Sequence, residues 1–85
     1  MEIELTPAAE KDLNYWKKTN NSLVLKRIRD LLESVLETPF SGIGKPEALK
    51  YQLAGKWSRR IDRENRLVYS IEKETVFIYS LKGHY

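Results

Sequence analysis

Eighty-five residues suffice for one small domain, and a composition of 41% hydrophobic and 32% charged residues with a net charge of +3 is that of a folding chain, not a disordered one. The absence of cysteine excludes a disulfide, a thiolate metal site and a cysteine nucleophile. No stretch approaches the roughly 18 apolar residues of a membrane span, and the acidic start MEIELTPAAE is unlike a secretory signal, so a single domain over residues 1–85 in the cytoplasm is expected, away from any membrane.

In chain order, MEIEL alternates Ile3 and Leu5 with Glu2 and Glu4 and reads as a short edge strand. Thr6-Pro7 then supplies a helix cap and a first helical residue, with Ala9, Leu13 and Trp16 at helical spacing up to about Lys18. After TNNS, with Asn21 or Ser22 as cap, Val24, Ile28, Leu31, Leu32 and Val35 form the apolar stripe of a second helix. It must end before Pro39, because Thr38 precedes a proline. PFSGIGKPE is a Gly/Pro-rich loop, and beyond it the period changes to two. KWSRRID, RLVYSIE and TVFIYSLK alternate as strands joined by the short connections REN and KE. In the first, Trp57, Arg59 and Ile61 oppose Ser58 and Arg60. In the second, Leu67, Tyr69 and Ile71 oppose Arg66, Val68 and Ser70. The expected fold is α+β: two N-terminal helices packed on one face of a twisted antiparallel sheet, with basic residues on the open face. Trp16 and Trp57 read as packing residues more readily than as base-stacking ones.

The charge is unevenly spread. Residues 1–41 carry six Lys/Arg against seven Asp/Glu, whereas residues 42–66 carry seven against three, a local +4. Such a segment suits an anionic partner such as nucleic acid, although a solvated face would look the same. One histidine and scattered carboxylates give no metal-ligand spacing, and neither a phosphate-cradling glycine loop nor a Ser-His-Asp order is present, so no cofactor or metal is expected. What remains is acid–base chemistry with cationic help. Cleaving an RNA phosphodiester that way needs a base for the 2′-hydroxyl, cations for the charged phosphorus centre and an acid for the 5′-oxygen. Glu47, Arg66 and His84 are the right residue types, although each alone has an ordinary structural reading and spacing cannot bring them together.

The motifs GKPEALK (residues 44–50), LAGKWSRRI (53–61), ENRLVY (64–69) and the terminal GHY together resemble the YoeB/Txe family of toxins, in the RelE-like superfamily. The resemblance implies a RelE-like fold and the toxin of a type II toxin–antitoxin pair: a cofactor-free endoribonuclease that cleaves mRNA in the ribosomal A site, is silenced by a YefM-like antitoxin and is able to form a homodimer. Carried over by position, Glu47 matches the general base, Arg66 the transition-state arginine and His84 the general acid, with Tyr85 shaping the site. Lys50 and Arg60 match residues that hold the RNA backbone, and Lys45 and Arg59 of the same basic segment join them as RNA-binding candidates. Two positions depart from the family pattern. Asn65 stands where a histidine is common, which leaves His84 the sole histidine, and Ala48 stands where a proline is common, which implies a looser hold on Glu47. Two other classes compete with the nuclease: a related-fold toxin that poisons gyrase by binding, and a plain RNA-binding module.

Overall fold

A computed structural model describes residues 1–83; His84 and Tyr85 lie outside the described residues. The element order is β1 (Glu2–Leu5), α1 (Pro7–Lys18), α2 (Ser22–Glu37), β2 (Glu47–Ala48), a 3₁₀ turn (Tyr51–Leu53), β3 (Trp57–Arg60), β4 (Arg66–Glu72) and β5 (Thr75–Ser80). The two helices start where their caps dictate. The Thr6 hydroxyl accepts from the Ala9 amide at 3.2 Å, and the Asn21 side chain accepts from the Val24 amide at 3.1 Å. Asn21 is thus the cap of α2, and the helix ends at Glu37 with Thr38 extended ahead of Pro39.

The five strands form one sheet in the order β1-β5-β4-β3-β2. The β3-β4-β5 meander is antiparallel, as the alternation and short connections require, with a register shift at Val68/Tyr69. β1 is the edge strand, but it pairs with β5 in parallel. This departs from an all-antiparallel sheet and follows from the chain crossing over through both helices before it returns. β2 is an extra strand of two residues at the other edge, formed inside the segment that reads as loop.

One face of the sheet is covered by the helices. Val24, Ile28, Leu31 and Val35 of α2, with Ala9 and Trp16 of α1, pack against Leu67, Tyr69, Val76 and Ile78. Each apolar side chain buried this way contributes roughly 1.5–3 kcal/mol. Trp16 also donates from its indole nitrogen to the Leu81 carbonyl at 2.9 Å, so α1 holds the end of β5 as well as covering it. The opposite face carries Ser58, Val68, Ser70 and Tyr79; neither α1 nor α2 covers it, although Ser58, Val68 and Ser70 are buried and the 3₁₀ turn adjoins Val68 and Tyr79.

Candidate active site

The open face is organised by strand register. Glu47 pairs with Ser58, Ser58 with Val68, and Arg60 with Arg66, so all of these side chains rise from the same side of the sheet. Glu47 and Arg66 are two strands and two residues apart, about 12 Å between Cα atoms from ordinary sheet spacings. Glu47, Arg60, Lys45 and Lys50 are exposed and Arg66 is half-buried.

Glu47 sits on a fixed backbone. β2 is tied to β3 by its ladder, extended by the Leu49 amide donating to the Lys56 carbonyl at 2.9 Å, and Ala48 lies within the paired strand opposite Trp57. Lys45 (φ 52) and Tyr51 (φ 58) flank this segment in the left-handed region, a conformation that costs non-glycine residues about 1–3 kcal/mol each and that the surrounding structure must impose. Arg66 is steered by the turn before it: its guanidinium donates to the carbonyls of Asp62 at 2.8 Å, Asn65 at 3.2 Å and Arg63 at 3.4 Å.

The segment leading to His84 is anchored. The Leu81 amide donates to the Asp12 carboxylate at 3.0 Å, and the Leu81 side chain is buried. Gly83 is gripped twice, its amide donating to Asn65 Oδ1 at 2.7 Å and its carbonyl accepting from the Arg66 amide at 3.1 Å. Asp12 and Asn65 carry no local sequence signal for this role, since both contacts span long stretches of chain. Beside Gly83, a concavity of about 160 Å³ opens between the 3₁₀ turn and β5. Lys56, Val68, Tyr79 and Lys82 line it, and the Lys56 ammonium lies 4.4 Å from the centre of the Tyr79 ring. The Lys82 ammonium lies 4.6 Å from the centre of the Tyr15 ring, so Lys56 and Lys82 are two cations at the rim of this concavity that the sequence does not single out.

Arg59 corrects the sequence reading. Expected as an RNA-binding residue, it is fully buried on the helix-covered face and cannot meet a nucleic acid. Its guanidinium donates to the carbonyls of Thr38 and Ser41 at 2.7 Å, Ile43 at 3.0 Å and Pro39 at 3.3 Å, to the Ser34 hydroxyl at 2.7 Å and to Tyr69 Oη at 3.1 Å. Carbonyl dipoles at the C-terminal end of α2 receive the charge in place of a carboxylate. The loop closes this tightly only with glycine: a Cβ on Gly44 (φ +84) would stand 2.6 Å from Leu31 Cδ2, and one on Gly42 (φ +110) would collide with the Ser34 hydroxyl. The first half of PFSGIGKPE is therefore a lid sealed by Arg59, and the second half delivers Glu47 to the open face.

The profile of the family described as "YoeB-like toxin of bacterial type II toxin-antitoxin system" matches residues 5–85. The chain belongs to this family. Toxin YoeB of Escherichia coli K12 is 45% identical over 74 residues, 87% of each chain. The solved YoeB/ParE toxin from Agrobacterium tumefaciens superposes with a TM-score of 0.96 at 36% identity, covering 100% of both chains. Staphylococcus aureus YoeB, solved as a dimer, superposes with a TM-score of 0.92 at 41% identity, covering 100% of this chain and 98% of the other; it has also been solved in a heterotetrameric YoeB–YefM complex, with a TM-score of 0.91 at 41% identity and the same coverage. The α+β arrangement of two N-terminal helices on a sheet, expected from the periodicities and matching the RelE-like fold that the resemblance implies, and the role as toxin of a type II toxin–antitoxin system, implied by the motifs, are borne out, with the parallel β1–β5 pairing as the one departure from an antiparallel sheet. No helix among the described residues is long and apolar enough to cross a membrane.

Proposed function

We propose that this toxin is an endoribonuclease that cleaves mRNA in the ribosomal A site and so stops translation. The observation that carries the reading is the sharing of one open sheet face by Glu47 and Arg66, with Gly83, the residue before His84, hydrogen-bonded to the Arg66 backbone. Glu47 takes the proton from the 2′-hydroxyl, whose oxygen attacks the adjacent phosphorus. Arg66 donates to the phosphoryl oxygens as charge builds on them, the role in which a fixed donor contributes most. His84 gives its proton to the departing 5′-oxygen, leaving a 2′,3′-cyclic phosphate and a 5′-hydroxyl. Tyr85 shapes the site, and Lys45, Lys50 and Arg60 hold the RNA backbone. No metal or cofactor enters this scheme.

The toxin acts in the bacterial cytoplasm, where its substrate is, and a YefM-like antitoxin silences it; homodimer formation follows the staphylococcal relative. An acidic or apolar antitoxin segment should cover the basic open face, and a complex that left that face free would count against the reading. The test is cleavage of mRNA on purified ribosomes. Glu47→Ala and His84→Ala should each slow cleavage by about 10²–10⁴-fold. Variants that cut at the parent rate would sink the mechanism, and toxicity with DNA damage but intact mRNA would favour a gyrase-binding toxin instead.

A further inference from the structure

The β3–β4 turn ties the proposed arginine to Gly83, the residue before the proposed acid. Asp62 Oδ1 accepts from the amides of Glu64 at 2.9 Å and Asn65 at 2.8 Å, which closes the turn. The Asn65 amide nitrogen donates back to the same carboxylate, at 3.0 Å to Oδ1 and 3.1 Å to Oδ2. That fixes which way the Asn65 side chain faces: its nitrogen toward Asp62, its oxygen toward the Gly83 amide at 2.7 Å. Asparagine meets both demands because it carries one donor and one acceptor on a planar group. Aspartate would set two carboxylates against each other, and alanine would leave the Gly83 amide without this acceptor. The neighbouring Arg66 amide takes the Gly83 carbonyl while the Arg66 guanidinium rests on the carbonyls of the same turn.

We propose that Asn65 is a positioning residue: by gripping the Gly83 peptide from the turn that also orients Arg66, it fixes the register between Gly83 and Arg66, and cleavage depends on that register. The inference rests on the reading of His84 as general acid. It also gives Asn65, one of the two departures from the family pattern, a task in place of a gap.

The test is single-turnover cleavage of ribosome-bound mRNA, with the Gly83 amide exchange rate measured in parallel. Asn65→Ala and Asn65→Asp should slow cleavage about 10–100-fold, the loss that misplacing a reacting group produces. Ribosome–mRNA affinity should stay within about twofold, because the binding cations are untouched, and Gly83 exchange should quicken. The exchanged pair Asp62→Asn with Asn65→Asp restores one donor and two acceptors and should recover most of the rate. Asn65→Ala added to His84→Ala should slow cleavage no further, since the acid whose step depends on this register is gone. Wild-type rates in the single variants, a loss confined to affinity, no recovery in the exchanged pair, or full additivity with His84→Ala would each overturn the proposal. If His84→Ala itself cuts at the wild-type rate while Gly83 exchange still responds to Asn65→Ala, the acid reading has failed and the clamp has not.

Discussion

Arg59 and Arg60 are neighbours on β3 and have opposite fates. Arg59 rises from the helix-covered face into a cage of carbonyls and hydroxyls with no exposed surface, while Arg60 rises from the open face into solvent beside Arg66. The pair shows that the local +4 of the middle segment is not one basic patch. Part of it is spent inside the protein, holding the loop that precedes Glu47. On an alternating strand, parity decides whether a guanidinium is architecture or a ligand for phosphate.

The contrast can be broken by substitution. The largest effect is expected at Arg59: replacement by alanine empties a buried site and leaves the carbonyls of Thr38, Ser41 and Ile43 without this donor, a loss of about 3–5 kcal/mol in urea unfolding. Lysine should rescue only part of it, because a point charge cannot serve a planar set of acceptors. Arg66→Ala should behave the other way, with stability nearly unchanged and cleavage slowed about 10²–10³-fold in a single-turnover assay. A smaller effect is expected at Arg60 and Lys50: alanine at either should weaken binding to RNA of any sequence and lower the slope of log affinity against log salt by about one contact's share, read by titration at several ionic strengths. The smallest effect belongs to Lys26–Asp30, an exposed pair at 2.9 Å one turn apart on α2. Its hydrogen bond from Lys26 holds the Asp30 carboxyl below its usual 3.8. Whatever the pair contributes is present above that value and fades as pH falls through the lowered one, and Asp30→Asn should leave the melting temperature near neutral pH essentially unchanged.

Much of this was legible in the sequence, for physical reasons. The caps Thr6 and Asn21, the stripe from Val24 to Val35 and the two-residue period of the last three strands are local signals, and each produced its element. The parallel docking of β1 on β5 and the two-residue β2 were not legible. A pairing partner more than 70 residues away leaves no trace in a short strand, and two residues cannot display a period. Within the candidate site, the alternation did place Arg59 beside Trp57 and Ile61 on the apolar side. Its charge outweighed its parity in the RNA-binding assignment, and that is where the reading failed. Asn65 registered only as a departure from a family pattern, because its partner Gly83 is eighteen residues away.

The open face differs from the covered one in holding groups that carry out the proposed chemistry rather than the fold. The most direct test is to map mRNA ends in cells expressing the wild-type chain or His84→Ala at equal protein levels. Discrete new ends within translated messages are expected for the wild type and none above background for the variant. The same ends in both, or arrested growth with intact messages in the wild type, would contradict the assignment of this face as the site of RNA cleavage.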